Sequence, residues 1–178
     1  MNLNDYIASN REALGIHQYA FLKTGQLIFS PGVRELCKMN SCGQYGKTWA
    51  CPPGVGTFEE CRNRILNYQN LFVFTTVHPL EDSYDFEGMM EGKEKHSRLC
   101  PDIVRLFRQD YKDLLILSAE GCSRCVSCTY PDAPCRFPDT LYPSVESYSV
   151  EVNRLAAAAG INYINGVNTV TYFGCIFF

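Results

Sequence analysis

Cysteine spacing is the strongest chemical signal in this chain. Ten of its 178 residues are cysteine, and eight of those fall into two groups of four. The later group, Cys122, Cys125, Cys128 and Cys135, has the form Cys-x2-Cys-x2-Cys-x6-Cys. Three thiolates spaced by two residues can wrap one face of a cubane, each on a different iron, and a more distant fourth closes the remaining corner. Tetrahedral zinc more often uses two separated Cys-x2-Cys knuckles, and here the third cysteine follows too closely to begin a second knuckle. A [4Fe–4S] cluster is therefore preferred to zinc at this group. The segment around it is rich in Ser, Thr, Pro, Asp and Arg, which suits an exposed loop and not four buried, unliganded thiols.

The earlier group, Cys37, Cys42, Cys51 and Cys61, is less diagnostic by spacing alone. Its surroundings help: Gly43, Gly46, Gly54 and Gly56 let the backbone curl closely around a ligand. Pro52-Pro53 stiffens the exit from Cys51 and removes two amide donors. Tyr45 and Trp49 can shield a cluster from water. A second [4Fe–4S] cluster is the first choice, with zinc, a redox disulfide and plain core cysteines left open. Cys100 and Cys175 read as small buried hydrophobes, although either can stand in for a misassigned ligand. Lys47, Arg124 and Arg136 lie inside the cysteine segments. They either offset the negative charge of a thiolate-bound cluster or are solvated loop charges.

The stretch Cys37-x4-Cys42-Gly43-x-Tyr45-Gly46-x2-Trp49-x-Cys51-Pro52-Pro53-x-Val55-Gly56 resembles a family known as predicted metal-binding proteins, a domain of unknown function found in bacteria and archaea, many of them anaerobes. Phe86-Glu87-Gly88-Met89, Cys122-x2-Cys125-x2-Cys128-x6-Cys135-Arg136-x-Pro138 and Asn168-Thr169-Val170-Thr171-Tyr172-Phe173-Gly174 resemble it in the same order. The match covers roughly residues 30–178. The resemblance implies metal binding and supplies no activity. Cys61 as a ligand, and the type of cluster, rest on the chemistry of the cysteines.

Other chemistries find little support. His17, His78 and His96 show no metal spacing and suit surface or core roles, and Met89 and Met90 suit core filling. Gly54-Val55-Gly56 is not a dinucleotide fingerprint, because no strand leads directly into it. There is no G-x-S-x-G elbow, H-E-x-x-H or P-loop. Sixteen basic against nineteen acidic residues give a net charge of −3, which offers no general basic surface for nucleic acid or an anionic membrane. The N-terminal stretch MNLNDYIASNREALG has neither the basic start nor the apolar core of a secretory signal. No apolar run is long enough to cross a bilayer. So many cysteines without a signal point to a reducing cytoplasm, where they serve metals or redox chemistry.

The elements that must position these cysteines read as one domain over 1–178, with cysteine-rich loops at about 37–61 and 119–140. Residues 3–13 suit a short helix. His17–Leu22 and Leu27–Phe29 flank Lys23-Thr24-Gly25-Gln26 as a hairpin or strand pair. Thr57-Phe58-Glu59-Glu60 is a capping box, so a helix should cover 58–68. Leu71–Val77 and Leu114–Ser118 read as buried strands. Residues 83–99 and 102–112 suit helices kinked or divided by Pro101. The clearest helix is 145–159, ending at Gly160. Asn165-Gly166 signals a type I′ hairpin, and the last strand, apolar on both faces, should be central. The expected fold class is α/β or α+β, a single sheet with flanking helices and two cluster-binding loops.

The function these features suggest is electron transfer by two [4Fe–4S] clusters to a partner redox protein, with cysteine at every corner and no open iron. Two alternatives remain: an enzyme doing reductive chemistry at a labile cluster, with Cys61 or Cys135 unbound, and a zinc-binding interaction scaffold.

Overall fold

A computed structural model describes residues 2–119 and 121–178; Glu120, inside the second expected loop, lies outside the described residues. Among them, nine elements of regular helix and strand form a mixed α/β fold. Helix α1 (Leu3–Asn10), strand β1 (Gln18–Lys23), α2 (Pro31–Lys38), α3 (Phe58–Leu66) and β2 (Asn70–Pro79) come first. Then follow α4 (Phe86–Asp110), β3 (Leu115–Leu117), α5 (Val152–Ala159) and β4 (Thr169–Phe177). The four strands make one sheet in the order β1-β2-β4-β3, with every pair antiparallel. Strand β4 is central, as its two apolar faces predict.

Period-two alternation divides the sheet residues between two cores. Leu71 and Val73 of β2, with Phe173, Cys175 and Phe177 of β4, pack against Cys61 and Ile65 of α3 and Leu155 and Ala156 of α5. Phe72 and Phe74 of β2, with Ile176 of β4, face the opposite way onto Cys100, Ile103, Val104 and Phe107 of α4, joined by Ile7 of α1. Gly174 sits opposite Phe74 in the ladder. A Cβ there would collide with the Phe74 ring, so the absent side chain is what lets the aromatic lie across β4.

Local signals explain the helix ends. The Thr57 hydroxyl accepts from Glu60 N at 3.2 Å while Glu60 Oε2 accepts from Thr57 N at 2.7 Å, the reciprocal bonds of the expected capping box. Ser30 caps α2, with Pro31 in its first turn, and Asp85 caps α4 by accepting from Gly88 N at 2.8 Å.

Of the two alternatives at Pro101 the helix is not divided: α4 runs through the proline, because residues on both sides of it, from His96 to Phe107, are held against the sheet. The structure corrects three sequence expectations. The expected helix 145–159 is divided: a 3-10 turn at Glu146–Tyr148 ends at Ser149, whose φ is 64°, and α5 begins only at Val152. Ser147 bonds back to Ser144 through both its amide and its hydroxyl, the local competition that disfavours helix at serine. Leu27–Phe29 forms no hairpin with β1. Phe29 bridges Val150 instead, flanked by Ser30 N to Ser149 O at 2.8 Å and Glu151 N to Ile28 O at 3.0 Å. Asn165-Gly166 makes no type I′ turn: Gly166 and Asn168 have positive φ and Asn165 does not, and β4 pairs with β2 and β3.

His96, on α4, is fully buried. Its ring stacks on Phe74 at 5.5 Å and lies 5.9 Å from Tyr172. Its Nδ1 is 2.9 Å from the Thr76 hydroxyl. Burial, and secondarily the neighbouring His78, hold its pKa down at about 3 against an ordinary 6.5. The folded imidazole therefore stays neutral while the unfolded one takes a proton below about pH 6.5. The unfolded state binds more protons in that window, so this contribution to stability is complete above 6.5 and is lost as pH falls, at up to about 1.4 kcal/mol per pH unit. Urea unfolding at pH 7 and pH 5 should show a steeper acid loss for the wild type than for His96→Phe. Equal slopes would show that His96 is not the acid-sensitive group.

Candidate metal centre

The four cysteines of the later group line one cavity of about 350 Å³. Each of Cys122, Cys125, Cys128 and Cys135 is half-buried. The segment that carries them has no regular helix or strand and is fixed by short bonds across its own turns. Thr129 donates through its hydroxyl to Pro134 O at 2.9 Å, and Arg136 Nη1 donates to Ser127 O at 2.9 Å. The Phe137 amide donates to Cys135 Sγ at 3.4 Å, a contact that favours a thiolate or a sulfur bound to metal. Among the described residues, no three metal-ligating side chains converge on a point that would hold a single ion.

The opposite wall comes from the earlier segment. Gln44, Lys47, Thr48 and Trp49 line the same cavity. Trp49 Nε1 donates to Ala133 O at 3.0 Å, and its ring meets Tyr130 edge-on at 4.9 Å. Gly54 permits the approach: a Cβ there would fall 2.5 Å from Thr48 O and 3.1 Å from the Tyr130 ring. The two cysteine segments thus form one packed unit. Lys47, Arg124 and Arg136 all line the cavity, where cationic side chains can balance a thiolate-bound metal. The Thr48 hydroxyl is buried beside the Cys51 thiol.

The earlier group is less gathered. Cys37 lies in the last turn of α2, half-buried; Cys42 is exposed; Cys51 is buried. Burial pushes the Cys37 thiol up, and Cys51 and Cys42 add to the effect by proximity. Burial also pushes Cys51 up, opposed by the nearby Thr48 hydroxyl and reinforced by Cys42 and by Cys122 of the other group. Cys61 stands apart. It lies on the buried face of α3, inside the hydrophobic core, accepts from Arg34 Nη2 at 3.2 Å and donates to Val55 O at 3.5 Å. Burial raises its pKa, and Arg34 and Arg64 pull against that rise. Cys100 meets the Ser118 hydroxyl at 3.2 Å, with burial taking it up to about 11. Cys175 is wholly buried in the sheet, and burial raises it further.

Arg34 was not marked by cysteine spacing. It is 9 % exposed, and its guanidinium also donates to Gly56 O at 2.8 Å and Ser149 Oγ at 3.4 Å. No carboxylate reaches ion-pair distance of it among the described residues. Its place three residues before Cys37 on one helix is the signal that identifies it, because i,i+3 side chains share a face.

This chain belongs to the family described as predicted metal-binding protein (DUF2284), which matches residues 20–178. No curated protein matches. Among solved structures, the chain is similar to epoxyqueuosine reductase from Bacillus subtilis and to a selenomethionine-labelled epoxyqueuosine reductase. Each has a TM-score of 0.46 and 8% identity, over 98% of this chain and 45% of the other. The chain therefore spans less than half the length of those enzymes. Among the described residues, no helix is long and apolar enough to cross a membrane.

Trp49→Ala removes both the bond to Ala133 and the contact with Tyr130, together about 1–3 kcal/mol of coupling between the segments. Hydrogen exchange should rise at 122–135 and 42–51 while β2 and β4 remain protected. Unchanged exchange at 122–135 would show that the segments are ordered independently.

Proposed function

We propose that the protein binds two [4Fe–4S] clusters and passes single electrons to a partner redox protein. Cys122, Cys125, Cys128 and Cys135 hold one cluster, and Cys37, Cys42, Cys51 and Cys61 the other. The observation that carries the reading is the cavity on which all four later cysteines open. A cubane takes one thiolate at each of four irons, so its ligands stand around a volume, whereas a tetrahedral zinc draws four sulfurs to one point. Four thiols lining one cavity fit the cubane.

Arg34 supports an anionic group at the earlier set. No carboxylate among the described residues comes within ion-pair distance of the buried Arg34 guanidinium, although Glu60 feels its charge, and the neutral thiol of Cys61 does not neutralise it. Thiolates bound to a cluster do, and Arg34 acts electrostatically on both Cys37 and Cys61. Cys61 joins such a cluster only by exchanging its bond to Val55 O for iron. When bound, the clusters supply one-electron exchange. The chain itself supplies the thiolates, the cations that balance them, and the packed aromatic contact of Trp49 and Tyr130.

Protein purified without oxygen should contain about eight iron and eight sulfide per chain, four of each per cubane, with a broad visible absorption that dithionite bleaches. Zinc near two per chain with no sulfide would favour the scaffold and overturn this reading. Cys125→Ser should remove about half the iron. Cys61→Ala separates the ligand role from the core role: iron falls by about half if Cys61 binds metal, and stays full with a lower unfolding midpoint if Cys61 only packs against Arg34.

A further inference from the structure

A cleft of about 790 Å³ lies beside the cysteine-lined cavity and shares Trp49, Cys135 and Leu141 with it. Its floor is the outer edge of β3. Leu115 and Ile116 point to opposite faces of the sheet, so a cleft touched by both must run across the strand's edge.

The ladder fixes which backbone groups open there. Asn70 and Phe178 exchange both hydrogen bonds, Asn70 N to Phe178 O at 2.9 Å and Phe178 N to Asn70 O at 3.0 Å. Alternation along antiparallel strands then turns the polar groups of Ile176 toward β2 and those of Phe177 and Cys175 toward β3. Ile116, opposite Ile176, is left in the non-bonded position, with its N–H and C=O directed away from β4. Beyond it the edge is closed, because Ser118 donates to Pro143 O at 2.8 Å and accepts from Val145 N at 3.2 Å. Among the described residues no backbone partner meets the outward N–H and C=O of Ile116, and the same alternation turns Leu114, also at the cleft, outward. The edge is short, and the flat edge of a small ring needs only one such donor and acceptor. The cleft volume falls within the range of about 300–1,000 Å³ typical of small-molecule sites.

The walls narrow the chemistry further. Trp49, Tyr142 and Tyr148 supply aromatic surface. Arg108, in the last turn of α4, and Lys112, two residues past its end, stand at the cleft together with Asp113, Asp132 and Asp139, and neither cation makes an ion pair among the described residues. Arg108 uses one donor on Asp139 O at 3.2 Å and has others to spare.

We propose that this cleft binds a planar heteroaromatic ring with adjacent N–H and C=O groups on its edge and a phosphate on its tail, the chemistry shared by flavin and purine mononucleotides. The ring edge pairs with Ile116, the ring lies against the aromatic walls, and the phosphate meets Arg108 and Lys112. The inference concerns binding alone and does not depend on the identity of the metal.

The test is titration of the full chain, purified without oxygen, with FMN followed by its fluorescence, and with GMP as a competitor. FMN should bind one site, and riboflavin, which lacks the phosphate, should bind about tenfold or more weakly, as loss of a charge-assisted contact predicts. The exposed pair Arg108→Gln/Lys112→Gln should bring FMN down to the level of riboflavin. Ile116→Pro removes the outward N–H, which the ladder does not use, together with a buried core side chain; it should weaken FMN and GMP alike, whereas Ile116→Val, which keeps the N–H and most of the side chain, should not. If Ile116→Pro fails to fold, the Arg108/Lys112 pair still decides. FMN without GMP competition identifies a flavin site, and GMP binding alone identifies a purine site; either upholds the class. Absence of binding by both probes, or binding indifferent to the Arg108/Lys112 pair, overturns the proposal. Iron measured on the same samples keeps the two readings separate: iron-free protein that binds FMN defeats only the clusters, and iron-loaded protein that binds neither probe defeats only the cleft.

Discussion

The contact on which the cysteine-lined cavity depends is the docking of Trp49 against the second cysteine segment. Neither segment has regular secondary structure between its cysteines to hold it in place: residues 39–57 run through turns, and 121–137 do the same. Each needs a wall, and each supplies it to the other. The indole reaches across to Ala133 and Tyr130, and Gly54 removes the side chain that would keep the segments apart. A cavity lined by both segments follows, and with it the proximity of Cys51 to Cys122. A second redox centre beside the first shortens the path for an electron, so the same packing that orders the loops also sets the geometry for transfer under the proposed function.

The two cysteine groups are built differently, and the difference is physical. The later group lies wholly in irregular chain, half-exposed, where metal binding can be the main ordering force. The earlier group is anchored by helices at both ends, with Cys37 in α2 and Cys61 in α3. Cys61 is also a core residue, packed with Ile65 and Tyr148. Any ligand exchange there disturbs the face of the sheet that α3 covers. Arg34 sits at this junction, holding Cys61, Gly56 and Ser149 together. It therefore ties the metal region to the turn before α5.

Much of this was legible in the sequence where one local signal and the tertiary demand agree. The capping box at Thr57 and the apolar run of β2 gave correct elements, and the doubly apolar β4 gave its central place. The later cysteine group was legible as a unit because all its spacings are short. The failures share a cause. Leu27–Phe29 and Val150 were each assigned to a neighbour close in sequence, a hairpin with β1 and a helix from 145, whereas they pair with one another across 121 residues. Hydrophobic periodicity does not encode such a partner, and the serines at 144, 147 and 149 were the only local warning. At Pro101 the burial of α4 on both sides keeps the helix continuous, so the proline does not divide it. The contact of Trp49 with the second segment and the buried charge of Arg34 are likewise long-range facts, invisible to spacing.

The open edge of β3 shows how the metal region and the sheet combine. A three-residue strand at the border of a sheet exposes few unpaired groups, one of the ways proteins avoid edge-to-edge association. Here the chain after the second cysteine segment returns to cover Ser118 and stops short of Ile116. Had residues 141–143 continued alongside β3 in register, the edge would be sealed and no cleft would exist. Instead they diverge around the cysteine segment, so that Cys135 and Leu141 face the metal cavity on one side and the cleft on the other. The space beside β3 thus adjoins the cysteine-lined cavity through Trp49, Cys135 and Leu141. A ligand held there would touch the wall of that cavity without entering it.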